Sequence, residues 1–139
     1  MSPAIQNRLG WVLQIVAAAI LGQTLFFKFS GAPESVHIFT TLGAEPYGRW
    51  LAGVCELVAV VLLLWPAMAG AGGLLGLGVM SGALLAHLTT KLGIVVLDDG
   101  GELFILCVVV WIASALIVWI RKDQLLAQGN ALRQRILPS

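Results

Sequence analysis

The chain has 139 residues, of which 59% are hydrophobic and only 11% are charged, and its mean hydropathy is +0.95. A soluble domain carries about a quarter charged residues on its surface, and a disordered chain needs low hydrophobicity and high charge, so this composition excludes both. The net charge of +1 leaves no basic surface for nucleic acid, and we expect no nucleic-acid partner.

Four apolar segments have the length of membrane-spanning helices, since about 20 apolar residues cross the hydrocarbon core of a bilayer. The predicted spans are residues 10–27, 48–65, 70–89 and 102–120. Pro66 ends the second span because proline lacks a helical hydrogen-bond donor, and the short link after it makes spans two and three an antiparallel hairpin. The sequence thus predicts an all-α, membrane-embedded four-helix bundle.

Two segments outside the spans also carry helical patterns. Pro33 and Gly43 bracket an apolar stretch in the first loop, which predicts a short extramembrane helix. With this helix included, residues 1–120 form the bundle. The tail, residues 121–139, mixes apolar and polar residues, and we expect an amphipathic helix interrupted at Gly129-Asn130 or a docking segment.

Basic residues are distributed unevenly between the two sides of the predicted bundle. The side with both termini carries five, and the opposite side carries three. Because lysine and arginine concentrate on the cytoplasmic side, both termini are expected in the cytoplasm, with the protein in a bacterial cytoplasmic (inner) membrane. The five are Arg8, Arg121, Lys122, Arg133 and Arg135, and the three are Lys28, Arg49 and Lys91.

The third span contains two pairs of glycines at one-turn spacing, Gly72 with Gly76 and Gly78 with Gly82. Small residues let membrane helices approach closely. The favoured interpretation is tight packing inside the bundle, and the alternative is a contact seam for another subunit or a second copy.

Ionisable residues within or beside the spans mark a candidate ligand-binding site, because charges in lipid are expensive and are usually buried against partners. Glu56 lies inside the second span, and Lys28, His87 and Gln23 are expected near the same end. The alternatives are a structural ion pair for Glu56 and an ordinary hydrogen-bonded side chain for His87. Further polar residues are predicted to form an outer cluster at this end: Arg49, Lys91, Asp98, Asp99 and Glu102.

Cys55 and Cys107 are expected at similar depths in spans two and four. Buried cysteines are usually small hydrophobic side chains; the alternative is a redox pair, which needs the two α-carbons within about 7 Å. The segment from Asp98 to Glu102 has the pattern of a turn, so no metal site is predicted. The two histidines do not form a haem ligand pair and no flavin fingerprint is present, so neither cofactor is expected.

These motifs resemble those of the DoxX-like family of small four-helix membrane proteins, over about residues 8–120. The resemblance implies a membrane four-helix bundle, with Glu56 as the family's buried glutamate and Lys28 as the basic residue ending its first span. Members are linked to quinone-dependent sulfur oxidation, terminal oxidases, oxidative-stress complexes and membrane-protein assembly. The matching segments are Gly22-x-x-x-Phe26-Phe27-Lys28-Phe29-Ser30-Gly31, Gly53-Val54-Cys55-Glu56-Leu57, Ala86-His87 and the turn from Asp98 to Glu102.

Two functions are compatible with these features. The leading interpretation is a small accessory or assembly subunit of a larger membrane complex, respiratory or quinone-linked, with the lipid bilayer and other membrane subunits as partners. The alternative is a binding protein, or an oxidoreductase subunit, for a lipophilic molecule such as quinone, held in an outward-facing polar pocket around Glu56. The sequence leaves open whether the chain is an enzyme, and the favoured interpretation is that it is not an enzyme alone.

Overall fold

Residues 1–137 are described by a computed structural model, in which helices are the regular secondary structure. The predicted all-α class, with a short helix in the first loop, is confirmed. The predicted tail extends to residue 139, and its last two residues lie outside this range. The helices are α1 (Pro3–Ser30), α2 (Pro33–Thr41), α3 (Tyr47–Leu64), α4 (Ala69–Thr89), α5 (Glu102–Ile120) and α6 (Lys122–Ile136).

Helices α1, α3, α4 and α5 are each long and apolar enough to cross a membrane. Their outward faces carry large apolar side chains that water would not tolerate in such numbers, as Leu57 and Val61 on α3 and Ile105 and Ile112 on α5 illustrate. Lipid tails solvate such faces without cost. The protein is therefore an integral membrane protein with a four-helix membrane bundle.

The four spans form a ring in the order α1, α3, α4, α5, in which each helix packs against two neighbours. Successive spans run in opposite directions, so every neighbouring pair is antiparallel. The core contains Leu21, Ala59, Leu63, Val110 and Ile117. We call the end with α2 and the loop of residues 90–101 the α2 end, and the opposite end, with the α3–α4 turn and α6, the α6 end.

Helix α1 is longer than the span predicted from its apolar residues. It begins at Pro3, where the side chain of Ser2 accepts the N–H of Ile5 at 3.4 Å and proline suits the first turn. It ends at Ser30 because Gly31 adopts a left-handed conformation with φ of 70°, which glycine adopts at little cost. The N–H of Gly31 donates to the carbonyl O of Phe27.

The glycines of α4 divide into two groups. A β-carbon on Gly72 would lie 2.5 Å from the backbone N of Leu63, and one on Gly76 would lie 2.9 Å from Oγ of Ser114, so these two glycines pack inside the bundle. Gly78 and Gly82 are exposed, with no heavy atom within 4 Å of the position that a side chain would take. Packing inside the bundle thus explains Gly72 and Gly76 but not Gly78 and Gly82.

Polar side chains close the α6 end. Gln14 is fully buried; its Nε2 donates to the carbonyl O of Leu63 at 2.8 Å, and its Oε1 accepts from Nε and Nη2 of Arg121 at 3.1 and 2.9 Å. The side chain of Gln124 on α6 accepts the N–H of Gly70 and donates to the carbonyl of Pro66, both at 2.8 Å. These bonds satisfy backbone groups that a helix end otherwise leaves unpaired.

The predicted interruption of the tail is wrong, because α6 continues through Gly129 and Asn130 without a break. Glycine lowers helix propensity by about 1 kcal/mol, and this cost does not end the helix. Every residue from Gly129 to Leu137 is exposed, so only the first half of α6 packs against the bundle.

Candidate functional site

Two charged side chains from different spans meet inside the bundle near the α2 end. Nζ of Lys28, in the last turn of α1, lies 3.0 Å from Oε1 of Glu56 in the middle of α3. The side chains are only 15% and 3% exposed, respectively. A lone charge at the centre of a membrane helix costs about 2.5–3.5 kcal/mol on insertion scales, and each of these groups offsets that cost for the other.

The second carboxylate oxygen of Glu56 is reached by a residue that sequence reasoning missed. Oγ1 of Thr24 lies 3.1 Å from Oε2 of Glu56 and 2.9 Å from the carbonyl O of Leu21. A hydroxyl has one proton to donate, so Thr24 donates to one of these two acceptors at a time. Gln23, predicted for this place, is exposed, because adjacent helix residues point about 100° apart.

His87, in the last turn of α4, is buried and oriented by the loop that follows it. Its Nδ1 lies 2.6 Å from the carbonyl O of Gly93, and because a carbonyl only accepts, this nitrogen carries the proton. The ring stands edge-on to Phe104, with 5.5 Å between the ring centres. Within residues 1–137, Nε2 has no hydrogen-bond partner. In the neutral ring this nitrogen is an acceptor.

Arg49 fixes the start of α3 against the end of α1. Its guanidinium makes a double interaction with Glu45, with Nε 2.9 Å and Nη2 2.8 Å from Oε1, and Nη1 donates to the carbonyl O of Lys28. This carbonyl is among those that the C-terminal end of α1 leaves without a helical partner. Arg49 therefore positions the backbone of Lys28 and does not line the cavity described below.

The remaining members of the predicted outer cluster all lie at the α2 end, but within the described residues their side chains form no ion pair with one another. Lys91 and Asp98 are exposed, and within the described chain neither of them forms an ion pair. Glu102 is exposed in the first turn of α5, where its negative charge suits the positive end of the helix dipole. Asp99 alone is engaged in an extended set of hydrogen bonds.

Asp99 organises the loop between α4 and α5. Its Oδ1 accepts from the N–H of Val96 at 2.9 Å and of Gly101 at 2.8 Å, and its Oδ2 accepts from the N–H of Leu103 at 3.0 Å. Burial raises the pKa of the carboxyl group, but the three N–H donors and nearby His87 together outweigh it and hold the pKa of Asp99 below its ordinary value of 3.8.

This hydrogen-bonded carboxylate predicts a specific loss of stability in acid. A lowered folded-state pKa stabilises the protein above the ordinary value of 3.8, and the stabilisation is lost as the pH falls through the folded pKa. Asp99→Asn should remove this pH dependence, whereas Asp98→Asn should retain it, since Asp98 is exposed and asparagine tolerates its positive φ of 61°. Thermal unfolding in detergent between pH 6 and pH 2 checks this, and equal acid sensitivity of wild type and Asp99→Asn would contradict it.

A cavity of about 270 Å³ lies between the four spans near the α2 end. Its walls are mostly apolar, and residues of α2, including Phe39 and Leu42, form part of its boundary. The polar side chains on its wall come from three helices and comprise Thr24, Lys28, Glu56 and His87. Binding sites for small molecules have this composition, with an apolar wall and a few polar groups that orient the ligand.

A polar groove of about 280 Å³ adjoins the cavity between α1 and α5. Gln23 and Glu102, both predicted from the sequence, line this groove together with Asp99. Five residues line both the cavity and the groove: Thr24, Lys28, Ile38, Leu103 and Leu106. The cavity and the groove therefore meet at these residues, among which Lys28 carries the charge.

The two cysteines are free thiols in different surroundings. Cys107 is buried and lines the cavity, with Sγ 3.6 Å from the carbonyl O of Met80. Cys55 is half-buried and is not part of the cavity wall. Cys107 thus places a single thiol on the cavity wall.

Within residues 1–137, no three His, Cys, Asp or Glu side chains are grouped as a metal site requires. The donors and acceptors on the cavity wall can form hydrogen bonds with a ligand. No protein-family model matches the chain, and no match is found among curated proteins or solved structures.

Proposed function

We propose that the protein binds a lipophilic small molecule with a polar ring, of the quinone type, in the cavity between the spans. The observation that carries the proposal is the placement of Lys28, Glu56 and His87 on the wall of an otherwise apolar cavity. Its volume of about 270 Å³ is close to the lower end of the range for small-molecule pockets, about 300 Å³.

The polar groups offer both kinds of hydrogen-bonding partner to such a ring. The ammonium group of Lys28 donates and suits a quinone carbonyl, while Nε2 of neutral His87 accepts and suits the hydroxyl of a quinol. Glu56 holds Lys28 in place at 3.0 Å and offers a second acceptor. The resemblance to the DoxX-like family supports the same class of ligand.

Glu56→Gln tests this function. Charge-assisted hydrogen bonds contribute about 1.5–3 kcal/mol, so loss of the carboxylate should weaken binding of decylubiquinone at least tenfold. Binding is measured as protection of the Cys107 thiol from alkylation, in a Cys55→Ala parent in lipid nanodiscs. Glu45→Gln is the matched control, because this glutamate is also ion-paired at the α2 end but lies outside the cavity.

The outcome must be separated from unfolding. Circular dichroism and gel filtration check that the Glu56→Gln variant folds, and a lower unfolding temperature with unchanged protection of Cys107 would assign Glu56 a structural role only. Absence of any protection by decylubiquinone in the Cys55→Ala parent would contradict the proposed ligand class.

A second function, that of an accessory or assembly subunit in a larger membrane complex, is favoured by a separate observation. Gly78 and Gly82 present a small-residue surface on α4 that no residue of the described chain covers. Such surfaces allow close approach of another membrane helix. Native purification of wild type and Gly78→Leu tests this function. A defined partner should be lost from the variant, whereas migration of the wild type as an isolated monomer would contradict the proposal.

We also propose that both termini lie in the cytoplasm of a bacterium and that the α2 end faces outward. The α6 end carries five of the eight basic residues, in agreement with the preference of lysine and arginine for the cytoplasmic side. The cavity and the groove then belong to the outer half of the bilayer.

A further inference from the structure

The packing at the seam between α3 and α4 changes along its length. At Gly72, α4 is so close to α3 that a β-carbon would lie 2.5 Å from the backbone N of Leu63. About 15 Å further along α4, no heavy atom lies within 4 Å of the position that a side chain of Gly82 would take. The two helices are therefore in tight contact near the α6 end, whereas towards the α2 end the cavity lies between them, with Ala52 of α3 and Gly82 of α4 on its wall.

Gly82 belongs both to the wall of the cavity and to the surface of the bundle. On α4 it is accompanied on the cavity wall by Ala86, and Ala52 faces the cavity from α3. These three residues have minimal side chains, so nothing bulky fills the seam between the two helices. The cavity reaches the molecular surface at Gly82.

Where no second membrane helix covers it, the surface around Gly82 faces the acyl chains of the bilayer. Gly82 lies about 10 Å along the helix axis from the end of α4 at Thr89, and neighbouring Leu85 is 60% exposed. A bilayer core about 30 Å thick places this depth among acyl chains. The polar groove, in contrast, lies between α1 and α5 and has Gln23 and Glu102 on its wall.

We propose that the ligand enters the cavity from the bilayer, through the gap between α3 and α4 at Gly82, and that its polar ring stops at Lys28, where the polar groove begins. This inference rests on the proposed ligand-binding function and narrows the ligand class. The ligand is a membrane-dissolved molecule whose apolar tail remains in the gap and in the lipid while its ring occupies the cavity. Protons and water reach the ring from the groove.

The chain supplies both a reporter and a matched control. Cys107 lies inside the cavity and, in a Cys55→Ala parent, is the one thiol available for modification. Gly82→Leu fills the gap, while Gly22→Leu adds the same side chain to α1, where no heavy atom lies within 4 Å and which at this residue is outside the walls of both the cavity and the groove. The measured quantity is the rate of Cys107 alkylation by N-dodecylmaleimide in nanodiscs, followed by intact mass.

We expect Gly82→Leu to slow alkylation at least tenfold and Gly22→Leu to change it less than twofold. The rate with a charged, water-soluble methanethiosulfonate reagent, which reaches the cavity through the groove, should be the same in both variants. Equal rates with the maleimide in the two variants would overturn the inference, as would equal slowing of both reagents by Gly82→Leu, which would indicate a collapsed cavity.

The same preparation separates failure of the entry route from failure of the proposed function. If decylubiquinone protects Cys107 but Gly82→Leu does not change the alkylation rate, the binding function is supported and the entry route is refuted. An effect of Gly82→Leu without protection by decylubiquinone would retain the opening to lipid and refute the ligand class.

Discussion

Replacing Lys28 by methionine should lower the free energy of unfolding by about 3 kcal/mol, the lower end of the range for breaking a buried ion pair. Methionine preserves the apolar length of the side chain and removes the ammonium group 3.0 Å from Glu56. The carboxylate, 3% exposed, then retains only Thr24 as a partner. The lower end of the range applies because the Lys28 side chain is itself 15% exposed.

A double-mutant cycle isolates the pair. In Lys28→Met/Glu56→Gln no uncompensated charge remains, so this variant should recover to within about 1 kcal/mol of wild type. Lys91→Met is the control for removal of an exposed lysine at the same end and should change stability by less than about 0.5 kcal/mol. Unfolding in mixed micelles, followed by circular dichroism, is measured for wild type, Lys28→Met, Glu56→Gln, the double variant and the Lys91→Met control. If Lys28→Met costs no more than Lys91→Met, the ion pair does not hold α1 and α3 together.

The spans could be predicted because each depends on a local property, a run of apolar residues long enough for a bilayer. The observed α3, Tyr47–Leu64, lies within one residue of the prediction at each end. The polar ends of helices are harder to predict from apolar content. The first residues of α1 are helical because of the cap at Ser2, and a run of apolar residues does not indicate such a cap. Gly129 is likewise a weak guide to the end of a helix.

The site was less accessible to sequence reasoning because it depends on which face of each helix turns inward. The pairing of Lys28 with Glu56 agrees with the rule that buried charges need partners. The choice between Gln23 and Thr24 depended on a rotation of about 100°, which two adjacent polar residues do not reveal. The orientation of His87 depends on the carbonyl O of Gly93. This carbonyl belongs to a loop with positive φ angles at Gly93 and Leu97, and no sequence motif predicts the conformation of that loop.

Gly72→Ala should be the most damaging single-methyl addition in α4, with a loss of about 3 kcal/mol, at the upper end of typical overpacking costs. The new β-carbon would lie 2.5 Å from the backbone N of Leu63 and 2.8 Å from the backbone C of Leu62. Backbone atoms inside a helix cannot rotate away as side chains do, so α3 and α4 must move apart. Close backbone contact is the main source of attraction between membrane helices, and separation weakens it along the whole interface.

Gly78→Ala is the matched control, because it adds the same methyl group to the same helix with no heavy atom within 4 Å. Alanine is a better helix former than glycine by about 1 kcal/mol, so this change should leave stability unchanged or raise it, opposite in sign to Gly72→Ala. Unfolding in mixed micelles measures both variants. A small cost at Gly72 would mean that α3 and α4 separate easily, and the tight contact at the α6 end would then not hold their seam fixed. The opening at Gly82 depends on this contact, because the contact fixes where α3 and α4 lie relative to each other.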